Sequence, residues 1–335
     1  MFDVVTIGTA TRDVFLKSTD FKVLYDPKHL EKIGFPKGEA ACFALGSKLE
    51  VENPVFSTGG GAANAAVSFS RLGLHTAACV KIGDDDAGKA VLAELKKEKI
   101  KPIVSVSKTD GTAYSTVLIT SGGERTILVF RGAGEHISER DLPVSQLKAK
   151  WAYFAPGKMS LPLLERTILT LKKQGTKVAL NPSRGYLTLH NKKLERVLKE
   201  ANVILVNREE ASYITGVPYH KEDKLIKTFF GMFGEGIAVI TEDKKGAVAF
   251  DGAYVYRVGI FEGTKMIDET GAGDAFGAGF VAGLIEMDDI LYALRLASAN
   301  AASVVEHIGG ATGALNKKDF KRPRWEKISL DIEEL

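Results

Sequence analysis

Residues 268–280 read DETGAGDAFGAGF and lead into an apolar segment that continues to Ile285. Because this segment is apolar on every side, it predicts a helix buried within the fold. Gly277, Gly279 and Gly283 lie inside it, and each glycine disfavours a helix by roughly 1 kcal/mol relative to alanine. Because these glycines disfavour the helix, their presence indicates that another part of the backbone approaches the helix closely.

The start of this predicted helix combines an anion site with a carboxylate. The amides of Gly271, Ala272 and Gly273 are expected to lack helical partners, and together with the helix dipole they suit a phosphate group. Asp274 stands at the same point and could accept a proton. Phosphoryl transfer to a hydroxyl requires this combination. A lone aspartate is more often a capping carboxylate, but a cap needs neither the glycines before it nor those after it.

A second glycine-rich stretch, STGGGAANAAV at residues 57–67, lies between a predicted strand and a predicted helix. Three glycines let a ligand approach the backbone closely, and Asn64 lies in the first turn of the helix. A flexible turn with a capping asparagine is the alternative. The stretch does not fit G-x-G-x-x-G, and no P-loop motif occurs in the chain. This disfavours a nicotinamide-dependent dehydrogenase and a P-loop enzyme.

Two further polar sites follow predicted strands. NREE at residues 207–210 comes directly after the apolar run 203–206, and open α/β sheets bind ligands beyond the carboxyl ends of their strands. A carboxylate there could order Mg²⁺ through water. From these residues alone a capping box between Asn207 and Glu210 is the preferred interpretation. Asp13 follows the first strand and is either a turn residue or an acceptor for sugar hydroxyls.

Apolar strand-like runs alternate with helical patterns along most of the chain, which predicts an α/β fold with a doubly wound, mostly parallel sheet flanked by helices. Three β-rich segments, at about 12–17, 48–56 and 112–130, break this alternation, and an insertion at 18–47 adjoins them. They predict a small β-sheet lid that is discontinuous in sequence. We therefore expect a single domain over residues 1–335, with a late hairpin at 247–256 in the core and a charge-rich, solvated tail at 316–335.

The composition excludes several classes of protein. The chain of 335 residues carries 45 basic and 42 acidic side chains, a net charge of +3 that gives no argument for nucleic acid. No apolar run approaches the roughly 18 residues of a membrane span. Cys42, Cys79 and six scattered histidines show no metal-ligand spacing, which argues against a disulfide framework or a zinc site. We expect a soluble cytoplasmic protein that acts on a small molecule.

Taken in order, the motifs at 59–64, 207–210 and 268–280 resemble those of the ribokinase-like, or PfkB, family of carbohydrate and nucleoside kinases. The likeness covers nearly the whole chain. It implies a ribokinase-like α/β core with a β lid, ATP as phosphoryl donor, and Mg²⁺.

Position by position, the resemblance implies roles for four groups of residues. The catalytic group is Asp274 as base, with an anion hole at Gly271, Ala272 and Gly273. The phosphoryl acceptor would contact Asp13, Gly60, Gly61 and Asn64. ATP and Mg²⁺ would be bound by Asn181, Asn207, Glu210, Thr241, Gly246 and Asn300, with Glu210 reaching Mg²⁺ through water. Asp268 and Thr270 match a site for K⁺.

Two of the places where the chain departs from the family concern the predicted nucleotide loop and the acceptor site. Thr241-Glu242-Asp243 stands where the family often has Thr-x-Gly, and Ala155-Pro156-Gly157 stands where ribokinases place a ribose-binding glutamate.

From the motifs and the resemblance together we expect an ATP-dependent kinase that phosphorylates a hydroxyl of a sugar or sugar-like molecule. A nucleoside kinase and a non-catalytic sugar or nucleotide sensor on the same fold are the alternatives. Because exposed lid-strand edges favour pairing, we expect a homodimer through the lid.

Overall fold

Short buried strands alternate with helices along most of the chain, which the computed structural model describes over residues 1–35, 38–182, 184–187, 192–233 and 236–334. Within these ranges the strands are β1 Phe2–Gly8, β2 Thr11–Lys17, β3 Lys22–Tyr25, β4 Glu39–Cys42, β5 Val55–Gly59, β6 Thr76–Gly83, β7 Lys101–Ser107, β8 Ala113–Ile119, β9 Arg125–Phe130, β10 Ala149–Ala155, β11 Lys177–Leu180, β12 Val203–Asn207, β13 Ile237–Thr241, β14 Ala247–Phe250, β15 Tyr254–Val258 and β16 Leu330–Glu334.

The helices of the same ranges are α1 Pro27–Leu30, α2 Gly61–Arg71, α3 Asp86–Lys97, α4 Leu161–Lys173, α5 Arg184–Leu187, α6 Lys192–Lys199, α7 Arg208–Thr215, α8 Glu222–Gly231, α9 Ala272–Met287 and α10 Ile290–Val305. Short 3₁₀ turns lie between several of these elements. Among the described residues, none of the helices combines the length and the apolar composition that crossing a bilayer requires.

The main sheet has the order β16-β15-β14-β13-β12-β11-β10-β1-β6-β7 across the described residues. The strands from β13 to β7 are parallel, and β14, β15 and β16 add antiparallel pairs at one edge. Successive strand residues face opposite cores, so that Val4 packs with α2, α9 and α10 while Val5 packs with α4, α6 and α8. The predicted doubly wound sheet is confirmed, and the late hairpin belongs to it.

The strand order reverses between β1 and β10. From the central β1 the chain builds outward through β6 and β7, then returns to β10 on the other side of β1. In open α/β sheets such a switch point opens a crevice beyond the carboxyl ends of the two strands, and ligands bind there. The carboxyl ends of β1 and β10, at Gly8 and Ala155, are paired neighbours. The ligand site is therefore expected around these two residues.

A separate small sheet has the order β5-β2-β8-β9 in the part of the chain that the structure describes. Its strands come from the three predicted segments, but the prediction of a strand over 48–56 was wrong in its bounds. Residues 48–54 are irregular, and β5 begins at Val55. Pro54 has no amide to give to a sheet ladder, and the amide of Glu52 donates instead to the Lys17 carbonyl at 2.8 Å.

The insertion at 18–47 contributes a hairpin of its own. Strands β3 and β4 pair antiparallel, with α1 between them. Phe21 and Phe43 pack edge to face at the base of this hairpin, with ring centroids 5.5 Å apart. The insertion, the turn between β8 and β9, and residues 266–269 surround a cavity of about 880 Å³. The insertion therefore lies against the small sheet.

The charge-rich tail is not the wholly solvated segment that its composition predicts. Trp325 is buried, and its ring packs edge to face on Phe261 with centroids 4.9 Å apart. Beyond it, β16 pairs with β15 and forms an edge of the main sheet. The many charged residues of this stretch predict exposure to solvent, but composition does not indicate the one buried tryptophan or the one strand that the stretch contains. Leu335 lies outside the described residues.

Candidate active site

The backbone that enters α9 has a conformation that requires glycine. Gly271 caps the helix at φ +79°, and a Cβ there would overlap the carbonyl oxygen of Gly310. Within the described residues the amides of Gly271, Gly273 and Asp274 donate to no protein acceptor. The amide of Ala272 differs from the prediction, because it donates to the Glu269 carbonyl at 3.2 Å. Three of the four amides at this turn therefore remain for an anion.

The glycines inside α9 lie where other elements approach its backbone. A Cβ on Gly279 would lie 2.8 Å from Ala297 Cα, and one on Gly283 would lie 2.5 Å from Ala293 Cα, both on α10. A Cβ on Gly277 would overlap the hydroxyl of Tyr153 on β10. The predicted close backbone approach is confirmed. The cost of glycine in a helix is offset here by tight packing that fixes the position of the helix N-terminus.

Asp274 is held by a hydrogen bond rather than by an ion pair. Asn64 Nδ2 on α2 donates to Asp274 Oδ2 at 2.9 Å. Gly61 leaves room for the other oxygen, because a Cβ there would lie 3.1 Å from Asp274 Oδ1. No lysine or arginine in the described ranges pairs with this carboxylate. Burial raises the pKa of Asp274, and the hydrogen bond from Asn64 opposes part of that rise.

Three neighbouring cavities lie along the start of α9, and two of them are lined by this carboxylate. We name them the small-sheet cavity, of about 310 Å³, the central cavity, of about 210 Å³, and the apolar cavity, of about 450 Å³. Gly271 and Asp274 line both the small-sheet cavity and the central cavity. Ala272 and Gly273 line both the central cavity and the apolar cavity. The three cavities thus form a row, and the start of α9 runs along it.

The small-sheet cavity contains most of the predicted acceptor residues. Asp13, Gly60 and Asn64 line it, whereas Gly61 lies behind them beside Asp274. Thr11 Oγ1 donates to Asp13 Oδ1 at 2.8 Å. Burial raises the pKa of Asp13, and hydrogen bonds from Thr11 and Ser115 hold back part of the rise. A buried carboxylate among hydroxyls is suited to accept hydrogen bonds from a polyol.

Sequence reasoning missed the rest of this cavity. Its further polar lining residues are Thr9, Thr11, Ser115, Arg131, Glu135 and Lys158. Lys158 and Glu135 form an ion pair at the rim. These residues come from four separate loops and strands, and no local motif marks them. They come together because the small sheet lies beside the carboxyl ends of β1 and β10.

The central cavity is polar and carries the Asn207–Glu210 pair. The amide of Glu210 donates to Asn207 Oδ1 at 2.8 Å, and the amide of Asn207 donates to Glu210 Oε2 at 2.9 Å. The capping box is therefore real, and both side chains also line the cavity together with Asn181 and Thr241. The capping role and the binding role are compatible, because the box fixes the carboxylate at the cavity wall.

The Glu210 carboxylate with neighbouring amide oxygens suits Mg²⁺. This ion is commonly held by one or two carboxylates, water and substrate phosphates rather than by a cage of protein ligands. Within the described part of the chain no group of three or more histidine, cysteine, aspartate or glutamate side chains is arranged to hold a metal. The residues present therefore fit Mg²⁺ that arrives together with a polyphosphate.

The apolar cavity is closed by α10 and by the loop after β13. Thr241 and Gly246, which the resemblance assigns to nucleotide binding, line it, and Gly246 has φ +94° with a Cβ position that overlaps the Val258 carbonyl oxygen. Apolar and small side chains make up much of the remaining wall, among them Ile260, Phe261, Met266, Ala301, Ala302 and Val305. Such a wall suits a flat heterocycle.

The assignment of Asn300 to nucleotide binding was wrong. Asn300 is fully buried, and its Nδ2 donates to the Ala275 carbonyl at 2.8 Å while its Oδ1 accepts from the Leu315 amide at 2.9 Å. The cavity is lined instead by Ser298, Ala301, Ala302 and Val305 of the same helix. At 100° per residue these four share one face and Asn300 lies on another. The spacing of small residues along α10 was the signal that could have found them.

The two residues that the resemblance assigns to K⁺, Asp268 and Thr270, are in contact with an arginine. Arg125 Nη1 of β9 lies 2.6 Å from Asp268 Oδ1 and donates to Thr270 Oγ1 at 3.1 Å. No sequence signal pointed to this contact, because 143 residues separate Arg125 from Asp268. The donor set at Asp268 and Thr270 therefore does not fit K⁺.

Sequence comparison finds related proteins over most of the chain. The sequence pattern of the pfkB family of carbohydrate kinases matches residues 3–318. The ribokinase of Haemophilus influenzae is 28% identical over 284 residues, which cover 82% of this chain and 89% of that protein.

Two solved structures share the fold over almost their whole length. Arabidopsis thaliana ribokinase, complexed with ribose and ATP, has a TM-score of 0.75 at 20% identity, covering 97% of this chain and 99% of that one. The Methanocaldococcus jannaschii nucleoside kinase has a TM-score of 0.74 at 18% identity, covering 97% and 98%. The predicted ribokinase-like architecture is confirmed.

Proposed function

The chain belongs to the PfkB family of carbohydrate kinases, and we propose that it transfers the γ-phosphoryl group of ATP to a hydroxyl of a sugar or sugar-like small molecule. One observation carries the proposal: Asp274 and Gly271 border both the small-sheet cavity and the central cavity. An acceptor hydroxyl in the first cavity and a terminal phosphate in the second would meet at this carboxylate and these amides. The purine and ribose of ATP would occupy the apolar cavity.

In this mechanism Asp274 Oδ1 takes the proton of the acceptor hydroxyl while the hydroxyl oxygen attacks the γ-phosphorus and ADP leaves. Asn64 keeps the carboxylate oriented through Oδ2, so the other oxygen faces the acceptor. The free amides of Gly271, Gly273 and Asp274 stabilise the charge on the transferred group. Since the transition state is loose, most of the catalytic effect comes from positioning and charge stabilisation.

Glu210 and the neighbouring Asn181 and Asn207 would hold Mg²⁺ at the central cavity, with Glu210 acting through water. When bound, the ion neutralises charge on the ATP phosphates. The capping box of Asn207 and Glu210 fixes the carboxylate independently of the ion. These residues therefore need little rearrangement when Mg·ATP binds.

The test of the proposal is ADP release from Mg·ATP with a panel of sugars and nucleosides. We expect release with a sugar or sugar-like polyol. Phe130 and Val129 also line the small-sheet cavity, and an apolar wall there could pack against a nucleobase, which favours the nucleoside kinase as a second candidate. Selective turnover of a nucleoside would establish that candidate. Tight ligand binding with no ADP release from any acceptor would contradict both and favour a sensor.

Asp13 is expected to hold the acceptor. In Asp13→Asn the KM for the acceptor should rise about 10- to 100-fold, because a hydrogen bond to a charged group contributes roughly 1.5–3 kcal/mol, while the KM for ATP stays nearly constant. Steady-state kinetics with both substrates varied measures this. Asp20→Asn, an exposed aspartate after the same strand, is the control. An unchanged acceptor KM in folded Asp13→Asn protein would refute the assignment.

We propose that the small sheet acts as a lid over the acceptor within one kinase domain, and that two lids pair in a homodimer. Closure would exclude water, which otherwise competes with the acceptor. Strand β9 is the edge of the small sheet, and Ile127, Leu128, Val129 and Phe130 are 44–57% exposed on it. Exposed apolar edge strands favour pairing with another chain. A cytoplasmic location, where ATP is available, belongs to the same proposal.

Leu128→Glu should convert this dimer to a monomer, since a charge on the edge opposes burial in an interface. Sedimentation equilibrium measures the outcome. Leu169→Glu, an exposed leucine on α4, is the matched control and should leave the oligomeric state unchanged. A wild-type protein that sediments as a monomer would contradict the proposed dimer.

A further inference from the structure

One guanidinium joins the small sheet to the loop that leads into α9. Arg125 Nη1 lies 2.6 Å from Asp268 Oδ1 and 3.1 Å from Thr270 Oγ1, and Nη2 lies 3.0 Å from Glu269 Oε2. A planar group that contacts three consecutive residues fixes their geometry as well as neutralising their charge. The contact therefore orders the segment that supplies the anion-hole amides.

Asp268 connects Arg125 to the rest of the site through further hydrogen bonds. Its side chain is 4% exposed, and Oδ1 also accepts from the Thr270 amide at 3.0 Å and from Thr270 Oγ1 at 2.7 Å. Its Oδ2 accepts from the Gly309 amide at 3.0 Å. Removing the partner of a buried carboxylate is strongly destabilising to the groups around it.

The turn at Gly309 and Gly310 completes the connection. Gly310 packs so closely that a Cβ there would lie 2.6 Å from Asn64 Nδ2, and its carbonyl lies against Gly271. Asn64 in turn donates to Asp274. A continuous set of contacts thus runs from Arg125 through Asp268 and this turn to the base and the anion hole.

We infer that Arg125 provides the positive charge at residues 268–270 in place of a bound K⁺, and that it couples the anion-hole amides to the small sheet. When the small sheet changes position, the order of these amides changes with it. Nη1 contacts side-chain oxygens of Asp268 and Thr270, the two residues that the resemblance assigns to K⁺, so an ion coordinated by these oxygens and the guanidinium exclude each other. Arg125 is a positioning residue, because it does not itself line the small-sheet cavity or the central cavity. The catalytic part of this inference rests on the proposed function.

The test compares Arg125→Gln with Arg166→Gln, which removes an arginine–glutamate pair on the surface away from the site. Kinetics are measured with KCl and with tetramethylammonium chloride at constant ionic strength. Wild-type turnover should be the same in both salts. Arg125→Gln should lose about 10- to 100-fold in kcat, as a small misplacement of catalytic groups does, with little change in KM, and guanidinium ion should restore part of the loss. Arg166→Gln should behave as wild type.

Hydrogen–deuterium exchange of the peptide over residues 266–276, without substrates, gives a second readout that needs no turnover. Exchange should be faster in Arg125→Gln than in wild type or Arg166→Gln, and guanidinium ion should slow it. Several-fold activation of the wild type by KCl over tetramethylammonium chloride would overturn the inference, as would unchanged exchange and kcat in Arg125→Gln. A wild type that releases no ADP with any acceptor would overturn the proposed function and the catalytic part of the inference, while the exchange result still decides the coupling.

Discussion

Asp274→Asn is expected to lower kcat about 10²- to 10⁴-fold, the usual contribution of a positioned acid or base, while the protein stays folded. Asparagine keeps the shape of the side chain and an oxygen for the bond from Asn64 Nδ2, but it cannot take the hydroxyl proton. Single-turnover measurements with the acceptor identified by ADP release would show the loss at the chemical step. Turnover within tenfold of wild type would refute the role of Asp274 as base.

The same variant should be at least as stable as the wild type at neutral pH. Burial raises the folded-state pKa of Asp274 above its unfolded value, so the ionised side chain destabilises the folded state. The wild type is free of this cost below the unfolded pKa, and the cost develops as pH rises through the folded pKa. The Tm of Asp274→Asn minus that of the wild type should therefore increase with pH. A falling difference would contradict the burial argument.

Gly271→Ala is expected to abolish activity and to lower the free energy of unfolding. A residue with a Cβ in the left-handed region costs roughly 1–2 kcal/mol, and here the Cβ would also overlap the Gly310 carbonyl oxygen. The loop must shift, and the amides that face the transferred phosphate shift with it. Urea unfolding and ADP release measure the two effects.

Gly263→Ala separates the two expected causes of the loss of stability and activity in Gly271→Ala, which are the left-handed backbone conformation and the overlap with Gly310. Gly263 has φ +76°, almost the same as Gly271, but nothing lies within 4 Å of its Cβ position. In Gly263→Ala the free energy of unfolding should fall only by the conformational cost of roughly 1–2 kcal/mol, and the activity should be unchanged. If Gly271→Ala were no less stable and no less active than Gly263→Ala, the packing of Gly271 on Gly310 would have no role in the site.

Local sequence signals predicted the main sheet and the start of α9, because they concern residues close together in the chain. Buried glycines in a helix indicate that another element packs against the helix backbone, and in α9 these elements are α10 and Tyr153 of β10. The capping box of Asn207 and Glu210 could likewise be predicted from four consecutive residues. Their position at a cavity wall followed from the strand before them.

The errors have a common physical cause, which is that side-chain direction and long-range contact are not encoded locally. Asn300 was assigned to the right helix but the wrong face. The contact of Arg125 with Asp268 depends on how the small sheet is placed against the core. Composition made the tail look solvated, although a single buried Trp325 anchors it.

The row of three cavities has a consequence for ligands that resemble both substrates at once. Because Gly271 and Asp274 are shared by two of the cavities, the proposed acceptor site and the proposed phosphate site adjoin each other. A single molecule that joins a nucleoside to a polyol through a phosphate chain loses translational and rotational freedom only once on binding. If the proposed function holds, we expect such a molecule to act as a bisubstrate inhibitor.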